Sequence, residues 1–296
     1  MNNALSTSLE RAYTHCALLV QDNDKDRFLA NLFVPATERP HVYALHAFSF
    51  EIARIRELVS EPMPGEIRHQ WWRDALEGEA RGGASANPVA AALIDTVDRF
   101  DLSRAALIAL IDARGFDLYD SPMPDLSSLE GYGKNTSSVL FRLAGEILRG
   151  APTARSPDPR VDAAAESAGL AYAFTGLIRA FAMHASRGQI YLPSDLLRRH
   201  GSSPEEVLGG KATPALLASF AEWRREARRH LAEALPLVAI LPEKLKPAFA
   251  PLALVKAYLP QTEQRGFEPF RTPIELPQWR RQWALWRGLP KSIPRR

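Results

Sequence analysis

The sequence predicts an all-α protein, and three observations lead to this fold class. Alanine, leucine, arginine and glutamate dominate almost every long stretch, and all four favour helices. Apolar residues recur three and four positions apart, which is the spacing of one helix face. Strand signals are nearly absent, since the short segment 189–192 is the best candidate. With 46% hydrophobic and 24% charged residues among 296, the chain has enough apolar material for a sizeable core.

Nine helices are predicted, and prolines, glycines and small polar residues mark most of their boundaries. Pro35 and Pro40 bracket the second helix, Gly82-Gly83 ends the third, and Ser103 is a candidate N-cap for the fifth. The proline-rich stretch from Gly150 to Pro159 is predicted to be a surface loop. The helices are expected over 5–21, 40–59, 66–80, 87–99, 103–114, 126–149, 160–187, 213–233 and 244–258.

The charge of the chain is unevenly distributed. The formal net charge is +3, but residues 271–296 hold seven basic residues and only Glu275, which gives this segment +6 and leaves −3 elsewhere. We therefore predict one all-α domain over 1–270 and a basic tail over 271–296. An acidic body argues against a nucleic-acid partner.

Cys16 has no second cysteine to pair with, and no secretory signal or membrane span is visible, so a cytoplasmic location is expected.

Several common kinds of site are excluded by spacing. The seven histidines include no H-E-x-x-H pattern, so no zinc site is predicted. There is no G-x-S-x-G elbow of an α/β hydrolase. Gly209-Gly210-Lys211-Ala212 lacks the hydroxyl residue of a phosphate-binding loop, because alanine follows the lysine. The residues themselves thus point to no resident metal or cofactor.

Two segments resemble the squalene/phytoene synthase family of head-to-head prenyl transferases. The first is YALHAFSFEIARIRE at 43–57 with RHQWWRDAL at 68–76, and the second is GLAYAFTGLIR at 169–179 with RGQIYLP at 187–193. The resemblance extends over roughly residues 10 to 260. It implies an isoprenoid synthase fold, which is a helical bundle with a central cavity.

In this family, two aspartate-rich motifs on facing helices hold the Mg²⁺ ions that bridge the substrate diphosphate. The resemblance places the first motif at Ala53, Arg54 and Glu57, and the second at Ala180 and His184. Only Glu57 keeps a carboxylate. Because Mg²⁺ requires oxygen ligands and Arg54 repels it, magnesium-dependent catalysis is not expected.

One branch of the family, similar to a respiratory complex I assembly factor, also lacks these aspartates. Its patterns correspond to residues 47–53, to Val59-Ser60-Glu61-Pro62 and to the pair Arg68 and Trp72. The leading hypothesis is thus a pseudoenzyme peripheral to the inner membrane, with complex I subunits or assembly proteins as partners. The alternatives are a Mg²⁺-dependent transferase acting on farnesyl or geranylgeranyl diphosphate, and a non-catalytic binder of such isoprenoid ligands.

The candidate residues of the cavity have two interpretations each. Diphosphate binding without metal is one interpretation of Arg54, Arg56, Arg179 and Arg187, and structural ion pairs with Glu51, Glu57 and surface carboxylates are the other. His184 is a residual ligand or a packed core histidine, and the aromatic residues 43, 48, 50, 172, 174 and 181 line a prenyl cavity or fill the core. The candidates for cavity and anion binding are Arg54, Glu57, Arg179, His184, Arg187 and Tyr191.

The tail carries a second candidate interaction site. Trp279, Arg280, Trp283, Trp286 and Arg287 occur within nine residues, and tryptophan and arginine are frequent in binding hot spots and at membrane interfaces. Three interpretations stay open: docking on an anionic membrane, docking on a partner protein, or folding back over the bundle.

Overall fold

The computed structural model describes residues 2–80, 83–150 and 158–288, and in these ranges the chain is helical with no β-strand. The prediction of an all-α fold is confirmed. The helices are α1 Asn2–Asn23, α2 Lys25–Asn31, α3 Arg39–Ala53, α4 Pro62–Glu77, α5 Pro88–Phe100, α6 Arg104–Arg114, α7 Leu126–Gly133, α8 Val139–Arg149, α9 Pro159–Arg179, α10 Phe181–Ser186, α11 Ser194–Arg199, α12 Pro204–Leu208, α13 Pro214–Ala239, α14 Leu252–Tyr258 and α15 Gln278–Gly288. None of these helices is long and apolar enough to cross a membrane.

Several boundaries differ from the predicted ones for local reasons. The short helices α2, α11 and α12 escape a search for periodicity because each spans two turns or less. The helix predicted over 126–149 is divided by a π-helical turn at Lys134–Ser138, and the one predicted over 160–187 ends at Arg179 before α10. The predicted N-cap is confirmed, since the Ser103 hydroxyl accepts the backbone N–H of Ala106 at 3.2 Å. Most of the predicted loop at 150–159 lies outside the described residues.

Helix α9 is the centre of the bundle. It packs along α13 and also contacts α8, α14 and the π-helical turn. On the other side, α3 packs against α1, α5 and α8. Large side chains such as Phe48, Phe174, Phe220 and Trp223 are completely buried between these helices. The motif positions lie at or just beyond the ends of α3 and α9, so the core of the molecule holds the two helices from which they extend.

Two glycines of α9 provide a matched test of this packing. A Cβ on Gly169 would lie 2.1 Å from the Ser138 Cα in the π-helical turn, whereas one on Gly176 would meet nothing within 4 Å. We expect Gly169→Ala to lower the free energy of unfolding by about 1–3 kcal/mol or more, because backbone must move. Gly176→Ala should raise it by about 0.5–1 kcal/mol, as alanine favours helix. Urea unfolding checks both, and equal stabilities would contradict the close approach.

Candidate functional site

A cavity of about 240 Å³ lies between α3 and α9. Ala53 of the first motif lines it from α3, and Gly176, four residues before Ala180 of the second motif, lines it from α9. The predicted central cavity is therefore present. It is smaller than the roughly 300–1,000 Å³ of typical ligand pockets. The lining residues are Asp24, Arg27, Ser49, Phe50, Ala53, Arg114, Tyr132, Thr136, Ser137, Tyr172, Ala173, Gly176 and Leu177.

Only part of the proposed aromatic lining reaches this cavity. Phe50 and Tyr172 contribute to its wall. The other four aromatic side chains of the set are buried in the hydrophobic core, namely Tyr43, Phe48, Phe174 and Phe181. The cavity wall also carries the guanidinium groups of Arg27 and Arg114, so its character is mixed rather than purely apolar.

Each arginine among the candidate residues is paired with a carboxylate. Arg54 lies 3.0 Å from Glu51, one turn earlier on α3. Arg187 lies 2.6 Å from Glu57 and so joins the two motif regions across the end of the bundle. Both side chains of this second pair are about half exposed, at 47% and 53%. Glu57, the one carboxylate left at the motif positions, is therefore already neutralised by a cation.

Arg179 lies in a different cluster, around a carboxylate that is not among the candidates predicted from the sequence. Asp26 of α2 is buried and accepts hydrogen bonds from Arg179 at 2.8 Å and from the Tyr258 hydroxyl at 3.0 Å. The Arg281 Nε of α15 lies 3.3 Å from the same carboxylate. The Arg179 guanidinium also stacks 3.6 Å from the centre of the Tyr258 ring. These residues are far apart in the chain, so no local sequence signal connects them.

Tyr191 belongs to a buried network around Asp117. The Asp117 carboxylate accepts the Tyr191 hydroxyl at 2.6 Å, the Tyr132 hydroxyl at 2.9 Å and the Arg114 guanidinium at 3.0 Å. Burial raises the pKa of Tyr132 and of Tyr191, and the neighbouring Asp117 charge adds to this shift. Both phenols are thus neutral hydrogen-bond donors. Because Arg114 and Tyr132 also line the cavity, this network fixes one of its walls.

His184 packs on this network as a neutral side chain. Its ring centre lies 4.7 Å from that of Tyr191, and its buried Nδ1 has no hydrogen-bond partner. Burial lowers the pKa of His184 to about 4. The imidazole is therefore uncharged at neutral pH and adds no positive charge to the site.

The low pKa of His184 predicts acid sensitivity. An unfolded chain binds this proton near pH 6.5 but the folded chain only near pH 4, so stability is lost as the pH falls between these values. At pH 5 the loss attributable to His184 is about 2 kcal/mol relative to pH 7. His184→Gln should remove this part of the pH dependence, measured by denaturant unfolding at both pH values. The exposed His15→Gln is the control, and parallel profiles for all three proteins would contradict the prediction.

The residues at the motif positions do not fit a magnesium cluster. Ala53 and Ala180 offer no donor atom, Arg54 is a cation, and His184 offers only nitrogen. Mg²⁺ prefers oxygen ligands in octahedral geometry, and one oxygen of the single remaining carboxylate, Glu57, already accepts a hydrogen bond from Arg187. Among the described residues, the one other group with suitable spacing is Glu130, Glu226 and His230. There the Arg229 guanidinium pairs with both carboxylates, at 2.9 and 2.7 Å.

Comparison with known proteins identifies the family. A sequence model of the family described as squalene/phytoene synthase matches residues 20–287. The chain belongs to the squalene/phytoene synthase family. The match includes α3 and α9, and it continues through almost all of α15.

The curated relatives of this family member fall into two groups. The complex I assembly factor 6 of Bos taurus is 30% identical over 261 residues, which cover 88% of this chain and 77% of the relative. The human assembly factor 6 has the same identity and coverage. The chloroplastic phytoene synthase 2 of Solanum lycopersicum is 26% identical over 266 residues, which cover 88% of this chain and 84% of the relative. Relatives named as assembly factors and as enzymes thus share this sequence pattern.

Solved structures support the fold. A dehydrosqualene synthase superimposes with a TM-score of 0.79 and 19% identity, covering 96% of this chain and 97% of that one. The squalene synthase HpnC of Alicyclobacillus acidocaldarius superimposes with a TM-score of 0.74 and 21% identity, covering 89% of this chain and 97% of that one. The helical bundle predicted from the sequence resemblance is confirmed as an isoprenoid synthase fold.

Proposed function

We propose that this chain is a catalytically inactive member of the family that acts in the assembly of respiratory complex I. One observation supports the proposed loss of catalysis. The motif positions on α3 and beyond α9 hold a single carboxylate, and Arg187 neutralises it at 2.6 Å. One paired carboxylate at the motif positions supplies too few oxygen ligands to hold the cations that a leaving diphosphate needs. The role in assembly rests on the similarity to assembly factor 6 over 88% of the chain.

A deletion experiment tests the role in assembly. Deleting the gene in its own organism should lower the amount of fully assembled complex I, measured on native gels together with the NADH oxidation rate of membranes. The wild-type gene and Glu57→Gln should both restore it, because the proposal needs no metal ligand at this position. Gly169→Ala is the control that should not restore complex I, because this substitution destabilises the fold. Normal complex I in the deletion strain would overturn the proposal.

An enzymatic assay tests the loss of catalysis separately. Purified protein is incubated with labelled farnesyl or geranylgeranyl diphosphate and Mg²⁺, and both hydrocarbon product and released diphosphate are measured. We expect no turnover. Product that forms with the wild type and disappears with Glu57→Gln would establish a prenyl transferase instead.

The cavity favours one second candidate function, the binding of a prenyl diphosphate without turnover. Arg27 lines the cavity together with Ser49 and Ser137, whose side chains can donate hydrogen bonds to an anion. The nearest carboxylate to Arg27 is Asp24 at 3.6 Å, a long ion pair. Saturable binding of farnesyl diphosphate in EDTA, weakened by Arg27→Gln but not by Arg11→Gln on the exposed surface of α1, would support this function.

A further inference from the structure

Helix α15 is fixed to the body by one of its faces. Leu285 is only 1% exposed, and Ala284 packs against the same core. At the end of the helix, a Cβ on Gly288 would lie 2.5 Å from the Ala253 Cβ of α14, so the two helices touch closely. Arg281 extends from this face to the buried Asp26 of α2. The inner face of α15 is therefore occupied by packing against the body.

The opposite face of α15 presents three tryptophans to solvent. Trp279 is 61% exposed, Trp283 53% and Trp286 56%, so α15 folds back on the bundle through its inner face while these three rings stay more than half exposed. Their positions i, i+4 and i+7 form one stripe along the helix. The rings of Trp283 and Trp286 stack with their centres 5.3 Å apart. Three neighbouring exposed indoles are unusual on a protein surface that has no ligand.

Arginines surround this stripe, and α15 contains no acidic residue. The Arg280 guanidinium lies 5.2 Å from the Trp279 ring, and that of Arg287 lies 5.6 Å from the Trp283 ring. The segment 271–296 carries +6 in total, while the rest of the chain carries −3. A second copy of the chain would bring two such positive surfaces together, because a symmetric dimer contact pairs each patch with itself. The charge thus favours an anionic partner over self-association.

We propose that the outer face of α15 docks on an anionic lipid surface, with the helix axis parallel to the membrane. The aliphatic side chains of α15 are directed to the body, so its exposed groups are indoles, guanidinium groups and the amides of Gln278 and Gln282. Indole rings locate at the level of the lipid head groups, and guanidinium groups pair with lipid phosphates. Because the inner face is already packed, the helix binds as a preformed surface and loses little conformational freedom. This proposal is independent of the role in complex I assembly.

Flotation with lipid vesicles tests the proposal. The full chain is mixed with vesicles of two parts phosphatidylcholine to one part phosphatidylglycerol, and with vesicles of phosphatidylcholine alone. We expect roughly tenfold or tighter binding to the anionic vesicles, with a blue shift of tryptophan emission and weakening at high salt. Replacing Trp279, Trp283 and Trp286 together by alanine should weaken binding by roughly tenfold or more. Arg280→Gln with Arg287→Gln should remove most of the preference for anionic lipid.

The controls distinguish vesicle binding by this surface from nonspecific hydrophobic adsorption and from the effects of misfolding. Met63 and Ile67 of α4 are 71% and 65% exposed, and replacing both by alanine should leave vesicle binding unchanged. The triple tryptophan variant should keep the thermal midpoint of the wild type, since its side chains are exposed. Equal binding to both vesicles, binding that survives loss of the three indoles, or no vesicle binding at all would overturn the proposal. In the last case an acidic protein becomes the partner to search for.

Discussion

Replacing Asp117 by alanine is expected to lower the free energy of unfolding by about 3–5 kcal/mol. Its carboxylate is 5% exposed and accepts hydrogen bonds from Arg114, Tyr132 and Tyr191. Without it, a buried guanidinium loses its counter-charge and two phenols lose their acceptor, and each unpaired group keeps its full desolvation cost. Urea unfolding followed by circular dichroism measures the loss. Because Arg114 and Tyr132 line the cavity, the prenyl-diphosphate binding proposed for it should also be lost in Asp117→Ala.

Asp120 is the matched control for this substitution. It lies three residues later, its side chain is 66% exposed, and it pairs with Arg56 at 3.1 Å on the surface. Exposed ion pairs contribute only about 0–1 kcal/mol, so Asp120→Ala should remain close to the wild type. If both substitutions cost the same, the Asp117 network does not have the buried character described above.

Replacing Asp26 by alanine is the second substitution with a large expected effect, again about 3–5 kcal/mol. This carboxylate connects three parts of the chain: Arg179 at the end of α9, Tyr258 of α14 and Arg281 of α15. Its loss leaves two guanidinium groups close together without a counter-ion. We expect the amide protons of α15 to exchange faster than in the wild type, in addition to the lower global stability measured by urea unfolding.

Asp22, which is exposed on α1, provides the comparison. Asp22→Ala should change stability by no more than about 0.5 kcal/mol, as is usual for surface positions. The stability of Asp26→Asn should lie between those of Asp26→Ala and Asp22→Ala, because the amide oxygen still accepts a hydrogen bond but carries no charge. An Asp26→Ala protein whose α15 is as protected as in the wild type would show that packing of Leu285 alone holds this helix.

The prediction of helices succeeds where periodicity and caps act locally. The core helices α5, α6, α9 and α13 are recognisable from apolar spacing and from residues such as Ser103, because these signals concern neighbours in the chain. The π-helical turn at Lys134–Ser138 was not predictable in this way, since its backbone lies against Gly169 of another helix. Likewise, α2 and α11 are too short to have a periodic pattern of their own.

The sequence by itself determined the fold class, the family and the loss of all but one carboxylate at the motif positions, because each depends on which residues stand at which spacing. The tertiary structure alone decided which charges meet. It pairs Glu57 with Arg187, 130 positions away, and Arg179 with Asp26, 153 positions away. It also decided that Leu285 is buried while Trp279, Trp283 and Trp286 are exposed. An amphipathic stretch contains two candidate faces, and only the position of α14 and α2 determines which face is packed.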